Sequence, residues 1–361
     1  MSLGCVECPD YGECGGLQLA EAVFDCASLC VCDSPRDCQF VCRRDPVKFV
    51  RRVREVGGFG LGNVPRAPTL THRKLPGMVP LLYHGYRRKR LLKADAVAIR
   101  LADLYEFATG RIKFKSKKEV AQRFRFDPDA KLVVVGIDKD RRIEPYWGAG
   151  RAARIMDALA VLEPDVVTTP NFSLFINAPR YDNLHSIKRI AICWQELVAA
   201  GVPAALHVNA RTPFDWQRWT EFVAGREEVR SVSFEFRTGT AVIERGTYHA
   251  RKLCELAISA GRPLQLVTRG GRRHLDLLRG SFDEVVLVDS GAFVKAVHRR
   301  LIYLDPAGVA RWGLTRTEQG HPIDHILQHN VDLAAEIFSR TFTVGRAVSK
   351  TALTNPPYIP F

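Results

Sequence analysis

The chain has 361 residues, with 53 Lys+Arg against 39 Asp+Glu, a formal net charge of +14, 46% hydrophobic and 25% charged residues. This balance excludes a mainly disordered or collagen-like polymer and allows either one large α/β domain with an appendage or two to three ordinary domains. No apolar run reaches the roughly 18 residues of a bilayer-spanning helix, and the first residues lack the basic and apolar regions of a secretory signal, so no membrane partner and a cytoplasmic location are expected.

In chain order, eight of the ten cysteines come first: Cys5, Cys8, Cys14, Cys26, Cys30, Cys32, Cys38 and Cys42. Thiolates at C-x2-C, C-x3-C-x-C and C-x3-C spacings in a reducing compartment point to metal. They suffice for two tetrahedral zinc sites, or for an iron–sulfur cluster with the rest structural, and spacing does not choose between these cofactors. Residues 1–56 are therefore expected to form a cysteine-rich metal-binding head. The Pro/Gly-rich stretch Gly57–Pro80 opens a basic linker or arm over 57–93, which ends in the run RRKRLLK. In that run Arg87, Arg88, Lys89 and Arg90 are the expected contacts to nucleic-acid phosphates.

From Ala94 onward, apolar β-branched runs alternate with amphipathic helical patterns. Strands are predicted at Ala96–Arg100, Leu132–Ile137, Val166–Thr169, Ala204–Val208, Val232–Phe236, Leu264–Thr268 and Val285–Val288. Helices are predicted at Arg151–Leu162, Asn183–Ala200, Pro213–Ala224, Tyr248–Ala260 and Arg273–Leu278. Repeated β–α units imply a parallel sheet, and seven strands with room for an eighth close most economically as a (β/α)8 barrel over residues 94–345, followed by a tail at 346–361. A doubly wound sheet is the alternative, without a dinucleotide fingerprint to support it.

In a barrel the site lies where strands end. Those positions hold Asp138 and Asp140, Asn171 with Phe172, His207 and Asn209, Glu235 and Arg237, Arg269 with Gly270 and Gly271, and Asp289. Arg272 and Arg273 follow as further phosphate contacts. His321, His325 and His329 recur every four residues and would share a helical face.

The segment Val285–Trp312, VVLVDSGAFVKAVHRRLIYLDPAGVARW, resembles the last strand and following segment of the tRNA-guanine transglycosylases, where a D-S-A-A-Y/F motif precedes a basic stretch and a P-x-G turn. Gly270–Gly271, Phe234–Gly239, Pro170–Phe175 and His329–Arg340 fall in matching order, so the resemblance spans residues 130–340. It implies a base-exchange enzyme that replaces guanine by a 7-deazaguanine in DNA or tRNA. Asp289 would be the nucleophile at C1′, and Glu235, Asn171 and Asp138 would stand at the acid–base positions. Asn209, Arg237, Arg269, Gly270, Gly271 and Phe172 would hold the base and its nucleotide. The chain departs from the family in carrying Asn171 where a general-base aspartate is expected and in lacking a cysteine zinc site after Asp289, which makes it more similar to DNA-modifying relatives. Two other readings stay open. One is a metal-dependent nuclease or phosphodiesterase using Asp138, Asp140, His207, Glu235 and Asp289; the other is a nucleic-acid-binding barrel without catalysis. Assembly into oligomers is compatible with each.

Overall fold

The computed structural model describes residues 46–71, 73–175, 178–237, 243–318 and 320–344. The eight-cysteine head expected over Cys5–Cys42 therefore lies outside the described residues, as does the tail.

Eight parallel strands close into a barrel in sequence order: β1 (Met78–Leu82), β2 (Ala96–Arg100), β3 (Lys131–Val135), β4 (Val166–Thr168), β5 (Ala204–His207), β6 (Ser231–Glu235), β7 (Gln265–Arg269) and β8 (Glu284–Asp289). Closure comes from β1 against β8, with Val79 opposite Val288. The predicted barrel is thus the observed one. Its first strand, MVPLL, lies inside the segment read as a linker.

The helices are α1 (Pro46–Val56), α2 (Leu101–Leu104), α3 (Lys117–Phe124), α4 (Asp140–Pro145), α5 (Ile155–Val161), α6 (Arg180–Ala199), α7 (Pro213–Ala224), α8 (Ile243–Ala260), α9 (Leu275–Arg279), α10 (Gly291–Val297) and α11 (Asp324–Val344). A π-helical turn, Tyr146–Gly150, follows α4 directly. An antiparallel hairpin of β9 (Arg300–Leu304) and β10 (Ala310–Leu314) stands between α10 and α11. Its turn is the P-x-G segment, where Asp305 accepts the amides of Ala307 and Val309 and Gly308 takes φ +75.

Two apolar cores hold the fold. Strand pleating sends alternate residues to opposite faces. Val79, Leu81, Ala98, Val133, Val135, Ala205, Val267, Val286 and Val288 fill the barrel interior, while Leu82, Val97, Ile99, Leu132, Val134, Leu206, Val232, Leu266 and Leu287 join the layer under the helices. Helix α1 belongs to this outer layer rather than to a separate head. Phe49, Val53 and Val56 repeat at helical spacing and are buried, Lys48 pairs with Asp182 at 2.8 Å, and Glu55 accepts from Trp147 at 2.5 Å and bonds His185 at 3.0 Å. Among the described residues no helix is long and apolar enough to cross a membrane.

Candidate active site at the C-terminal mouth of the barrel

The pleat decides which strand-end residues face the lumen. On β6, Ser231, Ser233 and Glu235 share a face, and Glu235 lies opposite Arg269 of β7, which lies opposite Val288 of β8. Val288 is an interior residue, so Glu235 and Arg269 point inward. They stand above His207, whose ring Nδ1 meets Ser233 Oγ at 3.2 Å. Burial lowers His207 to about 3, so this is a neutral, satisfied histidine beneath the site.

Glu235 is the most deeply set acid of the mouth, with its side chain 5% exposed. Burial raises its pKa, opposed by Arg269, the Arg237 amide and the Arg237 charge. One oxygen accepts the Arg237 amide at 2.8 Å and the other faces Arg269 Nη1 at 3.4 Å. Arg269 Nη2 lies 3.5 Å from the Tyr83 hydroxyl, just beyond β1. Arg237 Nη1 donates to Ser290 Oγ at 2.8 Å. Four strands thus bring Tyr83, Glu235, Arg237, Arg269 and Ser290 together.

Both glycines of the β7 turn are left-handed, with φ +79 at Gly270 and +76 at Gly271. A Cβ at Gly270 would stand 2.7 Å from Arg237 Cγ, and one at Gly271 would stand 2.5 Å from Phe236 Cδ2. The pair therefore lets the β6 loop close against the β7 loop, which sets Arg237 over Ser290.

A second cluster occupies the β2–β3 side. Arg100 binds both oxygens of Asp103 at 2.7 and 2.9 Å and reaches Asp138 at 3.4 Å, while Arg142 bridges the same two carboxylates, at 3.3 Å to Asp138. Asp138 is thereby held by two guanidiniums, an arrangement of an anchor more than of a proton acceptor. Asp140 accepts from Ser173 Oγ at 2.5 Å. Asn171 accepts from the Asn209 amide at 2.8 Å, and Asn209 also reaches the Phe172 carbonyl at 3.3 Å, so these two form one amide pair at the mouth.

Other sequence-predicted residues take different places. Asp289 lies opposite Pro80, one register step from the interior pair Val79 and Val288, so its side chain leaves the strand on the outward face. Its Oδ1 accepts the Gly291 amide at 3.0 Å at the start of α10. The adjacent Ser290, which follows β8 and was not singled out from sequence, accepts from Arg237 of the mouth. Phe172, expected to hold the base, is fully buried, packed edge-on to Trp147 at 6.1 Å and under the Arg189 guanidinium at 3.9 Å. Arg88 is not a phosphate contact either. Its side chain is 1% exposed and donates to the Phe124 and Arg125 carbonyls, because the chain folds this arginine under the loop as a strut. Arg87, Lys89 and Arg90 remain exposed beside it, and Arg272 and Arg273 are exposed at the β7 turn. The histidine row breaks up, since His321 precedes α11 and His329 bonds the Ile302 carbonyl at 2.8 Å. Among the described residues no three His, Cys, Asp or Glu side chains converge to hold a metal ion.

Residues absent from the sequence reading complete the mouth. Tyr83 was hidden with the unread first strand, while Arg100, at the end of AVAIR, carried the same strand-end signal as Glu235. Comparison with models of protein families, with curated proteins and with solved structures finds no significant match.

Proposed function

We propose that the barrel mouth acts on a nucleotide unit of a nucleic-acid chain and exchanges its purine, a 7-deazaguanine replacing guanine. The observation that carries the reading is the setting of Glu235, a buried carboxyl with a raised pKa between two arginines at the lumen mouth. A carboxyl whose proton is held more firmly by burial can hand that proton to a departing purine, the step that makes a base a competent leaving group. Arg269 Nε is buried and has no hydrogen-bond partner among the described residues, so an oxygen of the bound nucleotide would complete it. Arg237, beside Ser290, offers a second guanidinium for a phosphate. The Asn171–Asn209 amide pair presents donors and acceptors suited to a base edge.

The resemblance assigns the attack on C1′ to Asp289. Its carboxylate stands at the rim and holds the Gly291 amide, so a covalent step requires it to give up that bond and meet a sugar lying across Ser290. The test is incubation of the protein with a guanine-containing oligonucleotide and a labelled 7-deazaguanine. Base exchange should occur in wild type and fall by about 10²–10⁴ in Glu235→Gln, the usual contribution of a general acid. A denaturing gel should reveal a protein–oligonucleotide adduct that Asp289→Asn abolishes. Exchange without an adduct, unaffected by Asp289→Asn, would remove Asp289 from the chemistry while keeping Glu235. A barrel that binds nucleic acid without exchanging bases is the second reading, favoured by Asn171, which takes no proton where the resembled family has an aspartate. It is the outcome if oligonucleotide binds and no label enters.

A further inference from the structure

Outside the lumen, the loop that follows β1 presents an aromatic ridge. Tyr83 packs on Phe293 at 5.7 Å between ring centroids, Phe293 meets His84 edge-on at 5.0 Å, and His84 lies face to face with Tyr86 at 4.5 Å and 19°. The ridge therefore runs from a residue touching Arg269 to a tyrosine that is 59% exposed. The loop that carries this ring is fixed from three sides. Arg88 ties the loop to the carbonyls at the end of α3. The Lys89 and Arg90 amides donate to the Asp324 carboxylate at 2.8 and 3.1 Å, and the Arg87 carbonyl accepts from Ile323 at 2.9 Å. Gly85 lets the loop approach so closely that a Cβ there would fall 2.4 Å from the Arg123 carbonyl oxygen.

Cationic side chains stand beside the ring. Arg87 and Arg123 are exposed, and Arg123 lies 5.6 Å from the ring centroid. His84, half-buried beside Arg88, Arg87, Arg100 and Arg123, is held toward its neutral form by burial first and by those charges second. A neutral ring backing an exposed tyrosine, rimmed by guanidiniums, matches the two needs of a single-stranded nucleic acid: a flat surface for a base and cations for the phosphates on either side.

We infer that Tyr86, backed by His84, is a stacking platform for a base flanking the nucleotide held in the barrel mouth, with Arg87 and Arg123 on its phosphates. The inference rests on reading the mouth as a nucleic-acid site and names the part of the substrate that lies outside it. The ligand chemistry, an unpaired base with its phosphodiester, is shared by DNA and RNA, and the two sugars are separate arms of the test.

The experiment is fluorescence anisotropy of the full-length protein with a labelled 12-nucleotide oligodeoxyribonucleotide and its ribonucleotide counterpart. Tyr86→Ala should weaken binding about 5- to 150-fold, the range of one base–aromatic stack, while Tyr86→Trp should retain it. A series of oligonucleotides, each with one abasic position, locates the stacked base. One position should cost wild type the same factor and should cost Tyr86→Ala nothing. That coupling supports the platform whether or not bases are exchanged, so its outcome is separable from the test of Glu235. Equal affinity of wild type and Tyr86→Ala, with thermal melts unchanged, overturns the platform alone. Absence of any binding to either oligonucleotide overturns the platform together with the function proposed for the mouth.

Discussion

Asp215 offers the sharpest test of how the loops around the mouth are held. It is fully buried and serves two ends at once. Its carboxylate pairs with Arg180, itself 1% exposed, and accepts the amides of Arg211 and Thr212 at 2.8 and 3.0 Å. Thr212 in turn caps Asp215 at 3.1 Å, a reciprocal capping box at the start of α7. The loop so anchored is the one that carries Asn209. Asp215→Ala removes the partner of a buried guanidinium, which costs about 3–5 kcal/mol, and half of a capping box, worth about 1 kcal/mol. Together these come to about 4–6 kcal/mol, a large part of the ~5–15 kcal/mol that holds a typical domain. Urea unfolding followed by circular dichroism should show this loss as a lower midpoint at unchanged slope. Arg180→Met in the Asp215→Ala background removes the stranded charge, and the double variant should be more stable than Asp215→Ala alone by at least ~1 kcal/mol. If Asp215→Ala costs under ~1 kcal/mol, or the double variant is no better than the single one, the buried pair does not carry the load assigned to it.

Acid should unfold the barrel from a defined pH. His207 and His249 are both lowered to about 3 by burial, with Arg211 and Arg245 adding to the effect at His249. The unfolded chain takes up these protons below about 6.5 while the native chain does not. Stability is therefore full above 6.5 and declines as pH falls toward 3, with a slope near ~2.7 kcal/mol per pH unit from the two histidines in mid-range; urea midpoints between pH 7 and 4 that do not move would refute it. Replacing Arg87, Lys89 and Arg90 by Ala should lower oligonucleotide affinity and its salt slope without changing the melting temperature. Arg88→Ala should lower the melting temperature instead, since the Phe124 carbonyl loses its side-chain donor and the Arg125 carbonyl keeps only the Leu92 amide, a loss of about 1–3 kcal/mol. Gly136→Ala should yield little folded protein, because its Cβ would stand 2.4 Å from the backbone oxygens of both Thr168 and Thr169; a normal melting curve for that variant would mean that β3 and β4 can separate at no cost.

The barrel was legible because its strands are short apolar runs closed by Asp, Asn, Gly or Arg, and the seven predicted strands coincide with β2–β8 to within two residues at either end. The first strand escaped because MVPLL follows a Pro/Gly-rich arm and contains Pro80, and proline demotes a strand reading. Helix α1 was grouped with the cysteines before it, although Phe49, Val53 and Val56 already marked a face for burial. Sequence could name the strand ends of the mouth but not their facing. In a strand buried on both sides, such as VVLVDS, every residue up to the turn is apolar, so nothing distinguishes inward from outward parity. The parity that turns Asp289 outward and Ser290 toward Arg237 is therefore visible only in the strand register. Charge runs mislead for a related reason, since Arg88 and its exposed neighbours look alike until the loop folds over one of them.

The mouth contains two kinds of carboxyl, and their surroundings differ. Asp103 and Asp138 are ion-paired with Arg100 and Arg142, which reach Asp138 Oδ2 at 3.4 and 3.3 Å. Their positions stiffen one wall, and Arg100 also lies over the Tyr83 ring at 4.6 Å, joining that wall to the aromatic ridge. Glu235 faces Arg269 at 3.4 Å and accepts the amide of its own turn, and burial raises its pKa against these contacts. In the proposed reaction this carboxyl is the one that would move a proton, with Arg237 and Arg269 turned to an incoming anion. If Glu235 were ionised, the arginines would be partly neutralised; with its proton held, the same wall becomes more attractive to phosphate. In the proposed reaction a leaving purine beside Glu235 would take that proton as its bond to C1′ breaks.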